Sequence, residues 1–225
     1  MNKEDLDSII YPSIKGSVNK DWQNQLEEIN ELGLDKVAVF VEEFDKKERP
    51  HLYKYLSKSC IREVPFVHLR DDTDYRDIEF FVNNYGTKYF NIHEDCFNIL
   101  DQWKGYWHLL YLEMNTDGVV AKNVEVEKIG GFCIDLAHLK RAIVKGAEEA
   151  FYVFSRKNKV KFSCNHLSGY DPITNEDAHL ITNLNQFDYL TSLPEFVFGD
   201  VIAMEVYNSI KEQLKFKEYI VRLLG

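Results

Sequence analysis

The sequence is poor in several features that would each point to a particular class of protein. It has four cysteines in 225 residues, Cys60, Cys96, Cys133 and Cys164, widely spaced and without a CxxC pair. That argues against a disulfide framework and against a closed cysteine zinc site, and it fits a reducing cytosol. No apolar run approaches the ~20 residues needed to span a bilayer, and the start Met1-Asn2-Lys3-Glu4-Asp5 lacks the apolar core of a signal peptide. A cytoplasmic chain with no membrane partner is expected. Positive charge is scarce as well. Lys and Arg number 27 against 37 Asp and Glu, the net charge is −10, and no Lys or Arg occurs between Lys161 and Lys211. A duplex-binding protein carries a basic footprint that displaces counterions from phosphates, so no nucleic-acid partner is expected. The first expected strand is followed by Lys15-Gly16-Ser17, with one glycine. This is no glycine-rich phosphate loop, which disfavours a doubly wound open sheet.

What is present is a rhythm: a short apolar run, a polar turn, an amphipathic helix, then another apolar run. It predicts βαβ units and a parallel sheet. Strands are expected at 8–14, 36–41, 64–69, 88–93, 107–114, 131–136, 160–167 and 201–206. Helices are expected at 21–32, 46–59, 74–85 (capped by Thr73 and stopped by Gly86), 94–103, 139–157 and 209–224. A weaker helix is expected at 119–127, and a long loop with a short helix after strand 7. Eight units of about 28 residues close naturally into a single-domain (βα)8 TIM barrel over residues 1–225, somewhat shorter than the ~250 residues typical of that fold. An aromatic content of 14% makes a substantial core feasible.

In such a barrel the chemistry sits where strands end. His68 closes strand 3, His93 strand 4, Glu113 strand 5, Asp135 strand 6 with His138 three residues on, His166 strand 7, and Glu205 strand 8. Asp177 and His179 lie in the loop after strand 7. Side chains alternate along a strand, so residues two earlier share a face. Those residues are Phe66, Asn91, Tyr111, Cys133, Cys164 and Ala203, mostly apolar or small as an interior layer should be. Asn91 would need a partner. Five of the seven histidines fall at or just beyond strand ends. Imidazole and carboxylate donors suit Zn, Mn or Fe, so one to three divalent ions are expected, zinc foremost. His108 has the parity of the helix layer, and His51 starts a helix at the surface. The run Glu42-Glu43-Phe44-Asp45 reads as a solvated turn, and Trp103, Tyr106 and Trp107 as helix–barrel packing.

These residues resemble the xylose-isomerase-like barrel superfamily, whose shared metal site takes Glu, Asp, His and Glu from strands 5 to 8. Glu113, Asp135, His166 and Glu205 match in identity and order, and Asp135-Leu136-Ala137-His138 matches the Asp-x-x-His strand end. Two branches compete. In sugar isomerases and epimerases the four residues hold one metal. The resemblance would then make Glu113 and Glu205 the catalytic acid/base pair. In endonuclease-IV-type apurinic/apyrimidinic endonucleases three zincs are held. The resemblance would then give one metal to His68, His93 and Glu113. A second would go to Glu113, Asp135, His166 and Glu205, and a third to His138, Asp177 and His179. Independently of the resemblance, Lys15 and Arg70, just after strands 1 and 3, are the candidates to contact a substrate phosphate. The sequence departs from the endonucleases at strand 1, which reads Tyr11-Pro12-Ser13-Ile14 where they keep a His, and after Glu205, where Val206-Tyr207 stands for Thr-Pro. The leading expectation is therefore a multinuclear metal hydrolase of a small phosphoester. A single-metal sugar isomerase or epimerase is the first alternative and a non-catalytic metal-binding barrel the second. Oligomeric state is left open by the sequence.

Overall fold

The parallel ladder of a computed structural model runs through nine segments, in the order Ile10–Tyr11, Val201–Met204, Phe162–Leu167, Gly131–Asp135, Leu110–Glu113, Tyr89–His93, Phe66–His68, Ala38–Phe40 and Ser13–Lys15. The structure describes residues 3–15 and 22–225. The two outermost segments are consecutive in the chain, separated only by Pro12. Proline has no N–H to give to a ladder, and here it divides strand 1 into halves that pair with strand 8 on one side and strand 2 on the other. The sheet thus returns on itself as an eight-stranded barrel. Gly16, Ser17 and Asp21, at the expected loop and helix start, lie outside the described residues.

Alternation along these strands separates two environments. Ala38, Phe40, Phe66, Tyr111, Cys133, Cys164, Val201 and Ala203 fill the barrel interior. The opposite parity, with Val39, Val67, Phe90 and Ile92 among its members, packs under the helices. The expected inner layer is therefore found, and Asn91 lies buried with it. Trp103 is fully buried in the outer layer, with Tyr106 and Trp107 packed against it, as expected. His51 and His108 are exposed. No helix among the described residues is long and apolar enough to cross a membrane.

The local departures have local causes. Strand 1 begins at Ile10 because Lys3–Ile9 is helical. Asp74, not Thr73, caps the helix Tyr75–Tyr85: it forms a capping box with Asp77, while the Thr73 hydroxyl donates to Arg70 O. Gly86 ends that helix in the left-handed region at φ 67°. The long helix expected at 139–157 is two, Leu136–Lys145 and Glu148–Ser155, divided where Gly146 turns left-handed. The first begins earlier than expected because the Asp135 side chain accepts from His138 N and caps it. Residues 94–103 form two 3-10 turns in place of an α-helix, and 119–127 is irregular apart from the turn Val126–Lys128.

Asn165 secures the strand that carries the central histidine. Facing away from the interior, it donates to Ile134 O (3.1 Å) and Val197 O (2.8 Å) and accepts from Gly199 N (2.6 Å). It joins strand 7 to strand 6 and to the segment entering strand 8. Asn165→Ala leaves three backbone groups short of a buried partner. It should destabilise the fold by about 2–4 kcal/mol, read from the midpoint of urea unfolding; an unchanged midpoint would show that solvent replaces these bonds.

Candidate metal centre

Glu113 is the centre of the side-chain constellation at the C-terminal rim. Strand 5 ends with this carboxylate buried. Its Oε2 lies 3.1 Å from His68 Nε2, 3.3 Å from His166 Nδ1 and 3.8 Å from His93 Nε2. Its Oε1 is 3.5 Å from His138 Nδ1. The expected partner of Asn91 is Glu113 itself, since Asn91 Nδ2 donates to Oε2 at 2.7 Å. Strand pairing sets this convergence: Asp135 is in register with His166, and His93 with Glu113.

A second carboxylate meets the same nitrogen of His166. Glu205 Oε2 is 3.1 Å from His166 Nδ1, and Oε1 is 2.6 Å from Lys15 Nζ. The outer group rests on a hairpin, Gly169–Asp171 against Glu176–Ala178, where a loop was expected. Asn175 at φ 57° turns it, and strand periodicity puts Asp177 and His179 on one face. His179 Nε2 lies 3.0 Å from Asp177 Oδ2, and His138 Nε2 lies 3.7 Å from the same oxygen. Arg141 holds the hairpin from behind, 3.3 Å from Asp177 and 3.0 Å from Glu176.

All nine expected donors therefore converge in overlapping groups of three whose donor atoms lie within 4.8 Å of one another. They include His68–Glu113–His166, Asp135–His166–Glu205 and His138–Asp177–His179. Of the two expected phosphate contacts, Lys15 is inside the cluster, ion-paired to Glu205 and Glu43. Arg70 stands apart at the rim, half-exposed, donating to Glu42 O.

One expectation fails. The run at 42–45 is no solvated turn. Phe44 is buried, and the 3-10 turn Val41–Glu43 folds both glutamates inward. Glu42 Oε2 lies 3.2 Å from His68 Nδ1 and 3.6 Å from His93 Nε2, and Glu42, His68 and His93 form a further donor group. The physical reason is parity: Ala38 and Phe40 face the interior, so Glu42 continues the same face beyond strand 2. That signal was available in the sequence and outranked by the local density of charge.

The cluster fits a cation by two independent marks. Asp135 Oδ2, His138 Nδ1, His166 Nδ1 and Glu205 Oε2 are buried and make no hydrogen bond among the described residues. Buried polar atoms seldom go unpaired; these face one another. The donors are imidazole and carboxylate, while the free thiols Cys133 and Cys164 lie in the layer beneath, as suits Zn, Mn or Fe.

The charges are mutually sustained. Burial works to raise Glu113 and Glu205, yet His166 and His93 hold the first well below the usual carboxylate range, and Lys15 and His166 the second. Burial, opposed by His138 and reinforced by Glu205 and Glu113, pushes Asp135 up to about 6. Burial disfavours charge on His93, but Glu113 and Glu42 lift it to about 9. A bound cation would take over the positive charge that these imidazoles carry, displacing their protons.

Above the cluster opens a cleft of about 650 Å³, lined by Glu42, Arg70, His93, Asn115 and His138 among others. That volume suits a small molecule.

Comparison with protein-family models gives no match, and comparison with curated proteins gives none. Among solved structures, a D-tagatose 3-epimerase-like protein aligns over 95% of this chain and 97% of its own, at 15% identity and a TM-score of 0.50. An aldo-keto reductase from Bacillus halodurans aligns over 94% and 86%, at 12% identity and a TM-score of 0.45. The first likeness establishes the α/β TIM-barrel fold anticipated from the sequence.

Proposed function

We propose that this chain is a divalent-metal-dependent isomerase or epimerase of a small sugar or sugar phosphate, with Glu113 and Glu205 as its acid/base pair. The observation that carries this reading is the placement of those two carboxylates. Both meet His166 Nδ1, at 3.3 and 3.1 Å, in a cluster whose His93 and His138 line a cleft of small-molecule size, in a barrel whose fold is shared with an epimerase-like protein. The fold likeness favours this alternative over the phosphoester hydrolase that leads on sequence alone.

Both reactions remove a proton from carbon and return one, so they need a base and an acid at a fixed separation. A divalent ion held by Glu113, Asp135, His166 and Glu205 would supply Lewis acidity toward a substrate carbonyl and hydroxyl. The remaining work falls to the chain. Asn91 fixes Glu113 through Oε2. Lys15 binds Glu205 through Oε1 and leaves Oε2 directed at His166. His138 N fixes Asp135 through Oδ1 and leaves Oδ2 toward the cluster. Glu205 and Asp135 thus each commit one oxygen to the protein and turn the other to the cluster, whereas Asn91 steadies the same Glu113 oxygen that meets His68, His93 and His166. His93 and Arg70 reach the cleft and are placed to meet substrate hydroxyls or a phosphate. The net charge of −10 supports a small substrate over a nucleic acid.

A second reading, multinuclear phosphoester hydrolysis, is favoured by one observation: His68, His93, His138, Asp177 and His179 add donors that a single ion does not require. Metal counting separates the two. One equivalent per chain, unaffected by His68→Ala and His93→Ala, supports the isomerase. Two or three equivalents, reduced by those substitutions, together with turnover of a small phosphodiester and none of a ketose panel, would replace it with the hydrolase.

A further inference from the structure

The chain that leaves strand 5 has no ladder of its own: residues 114–125 contain neither helix nor strand. Three of their backbone N–H groups are taken instead by two buried glutamates. Glu94, in the 3-10 turn after strand 4, accepts from Asn115 N through Oε1 at 3.0 Å and from Ala121 N through Oε2 at 2.7 Å. Glu149, on the helix Glu148–Ser155, accepts from Gly118 N through Oε1 at 2.8 Å. The two are 1% and 4% exposed and have no ion-pair partner among the described residues. A carboxylate buried without a counter-charge is costly unless hydrogen bonds replace its water, so both are committed to the segment they hold. That segment is a partition. Asn115, Thr116 and Asp117 line the cleft of about 650 Å³. Asn115 and Thr116 also line a second cavity of about 40 Å³, whose wall includes Gly118, Leu139 and Ala142. Atoms that face a void lose packing attraction on that side, so the place of the partition depends on the two carboxylates.

We infer that Glu94 and Glu149 are positioning residues, which hold residues 115–121 as a fixed wall of the cleft so that Asn115 and Thr116 meet the hydroxyls of a small sugar. The inference rests on the isomerase or epimerase reading. Neither glutamate lines the cleft; each acts through the backbone it holds. A few well-placed polar groups orient a ligand in a site of this size, and an amide and a hydroxyl are of the kind that recognise a polyol. The clamp closes beside the chemistry, since Glu94 follows His93, Asn115 lies two residues past Glu113, and His93 and Glu113 are in register. Glu113 itself is held separately, by Asn91 and by its histidines. Loosening the wall therefore acts on substrate binding far more than on the metal centre or on proton transfer.

The test uses the full chain loaded with divalent metal and the ketose that wild type converts fastest in a panel of free ketopentoses, ketohexoses and their monophosphates. Wild type, Glu94→Ala and Glu149→Ala are compared, with far-UV circular dichroism confirming the fold and metal content measured beside the kinetics. The expected result for Glu94→Ala is a KM raised at least roughly 10-fold with kcat within about threefold, the signature of lost binding and intact chemistry, and metal content unchanged. Amide hydrogen exchange at residues 115–121 should quicken in step. Glu149→Ala, on a different element, should move KM the same way by less, since it frees one N–H where Glu94→Ala frees two; it also serves if Glu94→Ala folds poorly. Unchanged KM in both variants, whatever the exchange, would make the clamp merely structural and overturn the assignment, leaving the isomerase reading standing. Lost metal or a fallen kcat at constant KM would overturn it too, since the glutamates would then be serving His93 and Glu113. Failure of wild type to convert any member of the panel would overturn the isomerase reading, and the assignment with it.

Discussion

Glu113→Ala should lose metal and turnover together. Among the site's carboxylates, Glu113 is the one within 4 Å of four histidines, His68, His93, His138 and His166. Its removal leaves those imidazoles without their common counter-charge and Asn91 Nδ2 without its acceptor. Loss of an acid/base group alone costs roughly 10²–10⁴-fold in rate, and loss of a shared ligand adds to it. Glu113→Gln divides the two contributions. The amide keeps the shape and one oxygen, so some metal should remain while turnover still falls by the acid/base factor. Inductively coupled plasma analysis beside kcat on a ketose panel reads both. If Glu113→Gln keeps kcat within about threefold of wild type, where the acid/base role requires 10²-fold or more, Glu113 is only a ligand, and the acid/base pair proposed with Glu205 is wrong.

The second large effect concerns Lys15. Its side chain is 3% exposed, and its ammonium faces Glu205, Glu43 and Glu42 at 2.6, 3.1 and 3.9 Å. Burial disfavours its charge, yet Glu205 and Glu42 raise its pKa above the usual lysine value, so it stays an ammonium at any pH of interest. Lys15→Met removes the cation and strands the carboxylates. Breaking one side of a buried pair costs about 3–5 kcal/mol, which for a chain of this size lowers Tm by roughly 6–20 °C. Saturating divalent metal should recover part of that loss, because it supplies the missing positive charge by another route. Differential scanning calorimetry with and without metal reads both changes. A metal-independent Tm equal to that of wild type would mean that the glutamates are already neutralised elsewhere.

Lys15 also marks the boundary of what could be read in advance. Its residue type and place after strand 1 make a phosphate contact the natural expectation. Its environment, three carboxylates and two aromatic rings, Phe40 and Tyr207, at 5.1 and 5.2 Å, is a tertiary fact. The strand-end donors were legible because the barrel converts a one-dimensional rule, the last inward-facing residue of each strand, into a ring of neighbours. Glu42 lies just past strand 2 on the face that Ala38 and Phe40 begin, and two adjacent glutamates there read locally as a surface. The break at Gly146 was missed for the reverse reason: apolar residues continue through it, and only a left-handed φ shows that the axis changes. The hairpin carrying Asp177 and His179 was invisible to alternation, since its two strands are three residues each and too short to give a period.

The divided first strand has a consequence for the order of assembly. The barrel closes where strand 1 meets strand 8, through a ladder of only two residues. That seam is reinforced from far away in the chain. Gln213 accepts from Ser13 N at 2.7 Å and donates to Ser13 O at 3.2 Å, across 200 residues. Contacts of such separation carry the largest loop-closure cost and form late. The closing helix, Ile210–Leu224, is thus the latch on the opening strand, and Glu205, a donor to the cluster, comes only five residues before that helix. A nascent chain would hold an open, twisted sheet with most of its histidines in place and no site. Closure of the seam would then also complete the candidate metal centre, so refolding in the presence of divalent ions should show metal uptake in the slowest phase.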